Sequence, residues 1–126
     1  MNTSRNAAFE LLRTHVLLGA KGETKTGKIP AAFGHAQKTG GWFVGAAQIN
    51  KPARWWEIHP LGDEILFLAS GEVAVTIEAG RRHRVIKLHR GEVCVVPRGT
   101  WHRVDAVQGG ELVFVTFQKK TRNRLI

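Results

Sequence analysis

The chain has 126 residues, enough for one domain with its own core and no need of disulfide support. A hydrophobic fraction of 43% and a charged fraction of 23% describe an ordinary globular composition, and no run of about 18 or more apolar residues is present to span a bilayer as a helix. The formal charge of +9 raises the question of nucleic acid. No helix-turn-helix, zinc-finger or RNA-binding signature accompanies the basic residues, so the charge reads as solvated surface or as a dock for anionic molecules, with no specific nucleic-acid target.

From the N-terminus, residues Ser4 to Leu18 are expected to form a helix. Thr3 or Ser4 caps it, Gly19 ends it, and Phe9, Leu12 and Val16 recur at helical spacing. Glu10, Arg13 and His15 interrupt the apolar letters here, which argues against a signal peptide and leaves the cytoplasm as the expected location. Lys21 to Gly41 is rich in Gly, Lys and Thr and reads as an extended arm, with His35 on its surface.

The character changes at Trp42. The runs WFVGAAQI, RWWEIH, EILFLA, EVAVTIEA, HRVIKLH, EVCVVP, WHRVDAV and ELVFVTFQ follow one another, separated by Gly, Pro and charged residues. Strand formers dominate and turn signals return about every ten residues, the pattern of an all-β sandwich or barrel. In EVAVTIEA, Val73, Val75 and Ile77 fall on one face and Glu72, Thr76 and Glu78 on the other. Eight strand candidates suit a jelly-roll barrel over residues 41–118, preceded by the helix and arm of 1–40 and followed by a basic tail, 119–126. The single cysteine, Cys94, lies inside an apolar run and reads as a small core residue.

Four polar residues stand out by their placement. Glu57 and His59 are two apart in RWWEIH and leave the same strand face. Pro60-Leu61-Gly62-Asp63 then reverses the chain, and Glu64 opens the next strand. Asp63 itself reads as a turn residue that bonds nearby backbone. A second tight turn, Pro97-Arg98-Gly99-Thr100, sets His102 at the start of another strand. Two histidines and a carboxylate make a ligand set for one divalent transition metal; Fe, Mn, Zn, Ni, Co and Cu all accept it. Glu57 has three open roles: fourth ligand, hydrogen-bond partner of a ligand histidine, or catalytic base. His15, His83 and His89 lack ligand spacing and read as surface groups.

These segments resemble the two motifs of the cupin superfamily, G-x5-H-x-H-x3,4-E-x6-G and G-x5-P-x-G-x2-H-x3-N. The chain carries Glu57-x-His59-x4-Glu64-x6-Gly71 and Gly91-x5-Pro97-x-Gly99-x2-His102. It departs from them at Lys51, in place of the leading glycine, at Glu57, in place of the first histidine, and at Ala106, in place of asparagine. The resemblance implies a small cupin-type jelly-roll β-barrel in which His59, Glu64 and His102 take metal-ligand positions and Glu57 takes the fourth. Two glutamates with two neutral histidines leave an M(II) site near neutral. The resemblance also implies a homodimer, with the N-terminal helix and the 21–41 arm at its interface.

Around this site, Trp55 shares a face with Glu57 and His59 and is a candidate wall for a small-molecule ligand, while Trp56 faces the other way. Leu66, Leu68, Val93 or Val95 are expected to supply apolar walls. Arg98, and Arg103 after His102, are candidates for holding an anionic substrate, since a guanidinium fork fits a carboxylate. The reading that follows is a metal-dependent enzyme acting on a carboxylate-, enol- or phenol-bearing molecule by dioxygenation, isomerisation or decarboxylation. The alternative is a non-catalytic sensor using the same cavity.

Overall fold

A computed structural model describes residues 7–28 and 41–126. The described residues form ten strands: β1 Thr14–Leu18, β2 Thr24–Lys28, β3 Trp42–Ile49, β4 Trp55–Ile58, β5 Glu64–Leu68, β6 Glu72–Ala79, β7 Arg82–His89, β8 Val93–Val96, β9 His102–Phe117 and β10 Arg122–Leu125. All described pairings are antiparallel, and β9 ties two layers together. One layer runs β2-β1-β3-β9-β5-β8, using the second half of β9. The other runs β7-β6-β9-β4-β10, using its first half. This is the expected jelly-roll sandwich.

The change of layer within β9 falls at Gly109 and Gly110. Gly109 has φ of 61°. The β5–β6 turn presses so closely there that a Cβ on Gly71 would lie 1.5 Å from the Gly109 carbonyl oxygen, and one on Gly110 would lie 1.9 Å from that of Ser70. Only glycine lets the two backbones touch, and the register of β6 against β9 slips by a bulge at the same point.

Between the layers sits a core of Leu66, Leu68, Val73, Val75, Leu88, Cys94, Val96 and Leu112. The alternation read in EVAVTIEA places Val73 and Val75 in it, at 0% exposure. Cys94 is one of its members, and burial pushes its thiol pKa up, as befits an inert packing residue. Leu68, also at 0% exposure, belongs to this core and not to a cavity wall. Replacing it with Ala is expected to lower the folding free energy by about 2–5 kcal/mol, read as a lower denaturant midpoint at unchanged slope.

The N-terminal region differs from expectation. No helix occurs among the described residues; Ser4, the expected cap, and His35 lie outside them. Thr14–Leu18 is a strand paired with both β2 and β3. The reason is a competing period: His15 and Leu17 are buried while Val16 and Leu18 turn to the other face, a two-residue alternation that the helical spacing of Phe9, Leu12 and Val16 masked. The open edge of β3 offers hydrogen bonds that an isolated short helix lacks. Part of the expected arm, Thr24–Lys28, is also strand. The sheet therefore extends past residues 41–118 at both ends, through β1 and β2 and through β10 in the basic tail.

His15 is a second correction. It is 3% exposed, packed edge-on to Phe43 and Phe114 at 4.4 and 5.8 Å between ring centroids. Burial lowers its pKa, which keeps it a neutral packing group. His83 and His89 are exposed, as expected.

Candidate metal centre

The four singled-out residues reach one place by different routes. Glu57 in β4 stands directly opposite His102, the first residue of β9. Glu64 opens β5 opposite Thr116. His59 follows the end of β4. The two tight turns are joined to each other: the Gly99 N–H donates to the His59 carbonyl at 2.9 Å, and the Arg98 N–H donates to Asp63 Oδ1 at 2.9 Å. Asp63 thus spans from one motif to the other, not to its own turn as expected. Gly99, at φ 71°, supplies the left-handed residue that this second turn requires.

Ligand-capable atoms of Glu57, His59, Glu64 and His102 all lie within 4.8 Å of one another. Glu64 is central. Its Oε1 is 2.8 Å from His102 Nε2 and its Oε2 is 3.2 Å from His59 Nε2. Thr116 donates its hydroxyl to Glu64 Oε2. Glu57 Oε1 is 2.9 Å from His59 Nε2. The two imidazoles lie 5.2 Å apart between centroids, tilted by 47°. Behind the cluster, each ring is held at its other nitrogen: His102 Nδ1 is 3.0 Å from the Thr100 carbonyl, and His59 Nδ1 is 2.8 Å from Thr121 Oγ1.

His59 and His102 are each 2% exposed and Glu64 is 5%. Burial opposes charge on every one of them, yet their mutual contacts prevail. The carboxylates of Glu57 and Glu64 hold the His59 imidazole up at about 9, and Glu64 keeps His102 raised as well. In return the histidines hold Glu64 down at about 2. These directions pair an ionised Glu64 carboxylate with two rings that are both favoured toward protonation.

A divalent metal fits these groups. His59 Nε2 has carboxylate oxygens at 2.9 and 3.2 Å, but no aligned hydrogen bond satisfies it. A buried ring nitrogen that converges with a second imidazole and two carboxylates on one point is placed as a ligand is placed. Imidazole nitrogen with carboxylate oxygen is also the donor chemistry of divalent transition metals.

Beside the cluster opens a cavity of about 310 Å³, onto which Glu57, Glu64 and His102 face. Its apolar walls include Ala47, Leu66, Leu112 and Phe114. Trp55 lines it, half exposed. Val93 and Val95 do not: on β8 they alternate with the buried Cys94 and Val96 and point outward, 56% and 53% exposed. Arg98 is exposed and off the cavity, contributing its backbone N–H as described above; the arginines along the wall are Arg54 and Arg103. Trp56 faces away, with the Arg103 guanidinium 4.6 Å from its ring and His83 at its edge.

Sequence reasoning missed three residues here. Thr116 and Thr121 hold Glu64 and His59, and Gln118, 2% exposed, lines the cavity with an unbonded Oε1. The alternation of β9 places Leu112, Phe114 and Thr116 on one inner face, and Gln118, one residue past the strand, continues it, so polar letters on the cavity side of an otherwise apolar run were the available signal.

The Cupin domain family matches residues 48–117. The chain belongs to the cupin family. No curated protein matches this cupin. Among solved structures, a protein from Neisseria meningitidis is 25% identical, with a TM-score of 0.52 over 60% of this chain and 74% of that one. Hydroxypropylphosphonic acid epoxidase from S. wedmorenis is 18% identical, TM-score 0.53, over 60% of this chain and 43% of the epoxidase. Hydroquinone 1,2-dioxygenase from Sphingomonas sp. TTNP3 is 18% identical, TM-score 0.54, over 62% of this chain and 60% of the dioxygenase. The cupin thus spans less than two thirds of either enzyme, and these two likenesses bear on the fold alone.

Proposed function

We propose that this cupin is a metal-dependent enzyme that acts on a small carboxylate- or enol-bearing molecule by dioxygenation, isomerisation or decarboxylation. The observation that carries the reading is the convergence of two imidazoles and two carboxylates within 4.8 Å of one another, at the edge of a largely apolar cavity. In this reading His59, Glu64 and His102 hold one divalent transition metal, which supplies Lewis acidity to a chelating oxygen group. The apolar walls exclude water from the bound molecule, and Trp55 packs against it. Arg54 at the wall offers an anionic substituent its counter-charge. The buried Gln118 Oε1 accepts a hydrogen bond from a ligand hydroxyl or N–H, the donor that it lacks.

Glu57 is the carboxylate that a ligand meets first, since its side chain is 36% exposed while that of Glu64 is 6%. We assign it to proton transfer at Oε1, with a place in the metal shell as the alternative. Glu57→Gln is expected to keep bound metal and lower turnover by about 100-fold or more; loss of metal together with turnover moves Glu57 into the shell. The reading as a whole is tested by metal analysis of purified protein and by oxygen or substrate consumption after loading with Fe(II), Mn(II) or Zn(II). Protein that takes up none of these metals overturns it. The departures at Glu57 and Ala106 favour, as a second reading, a sensor that binds small acids and consumes nothing; binding without turnover supports that one.

We also propose a cytoplasmic homodimer. Ile65 and Phe67 of β5 stand opposite Val95 and Val93 of β8, and all four are exposed on one outer face, a patch that a second copy would cover. Sedimentation should give twice the 14.0 kDa chain mass, and a monomer contradicts this.

A further inference from the structure

The basic C-terminal segment is built into the second layer. The Thr121 N–H donates to the Gln118 carbonyl at 3.1 Å, closing a turn in which Lys120 takes φ of 61°. The chain then runs antiparallel to β4, from Arg122 opposite Ile58 to Leu125 opposite Trp55, and Ile126 N–H donates to the Arg54 carbonyl. The Arg124 guanidinium lies 4.6 Å from the Trp101 ring and 5.3 Å from the Trp56 ring, and pairs with Glu78. Two of the tail's cations are therefore spent on this seam, since Arg122 also lies over Trp101. The seam delivers one uncharged side chain inward: Thr121, with Oγ1 2.8 Å from His59 Nδ1.

From this geometry we propose that Thr121 is a positioning residue for the metal centre, fixing His59 with its proton on Nδ1 so that the Nε2 lone pair faces the ion. The proposal rests on the metal reading above. A neutral imidazole carries one ring proton, and only the Nδ1–H form leaves Nε2 free to ligate. That form needs an acceptor at Nδ1. For His102 the acceptor is a backbone carbonyl held by its own tight turn, but for His59 it is a hydroxyl 62 residues further along the chain, in the turn that leads into β10, a strand that contributes no ligand. Ligand histidines depend on such partners for orientation and basicity. The C-terminal strand is thus a structural part of the centre, and because coupling is reciprocal, metal binding tightens the docking of β10.

The test compares full-length wild type, Thr121→Val and Thr121→Ser after chelator treatment, by competition for Zn(II) against an indicator dye. Valine keeps the shape and removes the acceptor. Thr121→Val should bind Zn(II) about 10- to 100-fold more weakly, and Thr121→Ser should recover most of that loss. Equal affinity in Thr121→Val and wild type overturns the proposal while leaving the metal reading intact; wild type that takes up no Zn(II) overturns both. Long-range ¹⁵N–¹H spectra of Zn-loaded wild type supply a readout independent of any variant's folding. They should show His59 protonated at Nδ1 and ligated through Nε2, and ligation through Nδ1 overturns the proposal.

Discussion

Replacing Glu64 with Gln is expected to weaken divalent-metal binding by roughly two to three orders of magnitude, the equivalent of about 3–4 kcal/mol, for removing one partner of a buried charged cluster. Glu64 is the hinge of the site: one oxygen faces His102, the other faces His59 and takes the Thr116 hydroxyl. Glutamine fills the same space and retains one acceptor oxygen, so any loss reports charge and coordination and not a cavity. Its amide nitrogen, directed at either imidazole, brings a donor where an acceptor is needed. Without the Glu64 carboxylate, His102 loses the first group that raises its pKa and His59 keeps only Glu57, so both pKa values should fall. Chelator competition reads the affinity, and NMR titration of the histidine ring protons reads the pKa change. Unaltered metal affinity in Glu64→Gln would mean that Glu64 is not a ligand.

The second large effect is on pH. In the ion-free protein His59 is held at about 9 and His102 is raised, so at neutral pH a metal must displace at least the His59 proton. Rising pH removes that competition. Apparent affinity should increase about tenfold per unit, hence about 100-fold from pH 6 to 8, and level off above about 9. Calorimetry in buffers of differing ionisation enthalpy should find at least one proton released per metal, and an affinity independent of pH contradicts the assignment. Ion-free stability runs the opposite way at high pH. The raised His59 pKa stabilises the fold fully below the ordinary value of 6.5, and that contribution disappears as pH climbs through about 9. Glu64, held low, contributes above its ordinary 4.5 and loses that contribution as pH drops toward about 2.

Much of this site is written locally. The spacing from Glu57 to Glu64 and from Pro97 to His102 encodes strand, turn and strand on each side of the centre, and a two-residue period decides which side chains point inward. Such information survives in a single sequence because each piece spans only a few residues. What holds the pieces does not. Thr121 meets His59 across 62 positions, and Asp63 meets the Arg98 backbone across 35. No short pattern marks either pairing. The same holds at the N-terminus: Thr14–Leu18 becomes a strand because β3 leaves an edge to pair with, a fact about tertiary structure that local helical spacing cannot carry. His15 shows the limit for single residues, since nothing in the letters around it announces that Phe43 and Phe114 will enclose it. Arg98 shows the converse: a side chain beside a motif histidine in sequence lies outside the cavity, because the tight turn sends it to solvent while using its backbone.

One ion held jointly by His59, Glu64 and His102 is the claim on which the rest stands. Crystals of chelator-treated protein soaked in Mn(II) and measured for anomalous scattering test it directly. A single strong peak about 2.0–2.3 Å from His59 Nε2, His102 Nε2 and a Glu64 oxygen is the predicted result. Peaks only at surface carboxylates, with the four side chains still clasping one another, would contradict it.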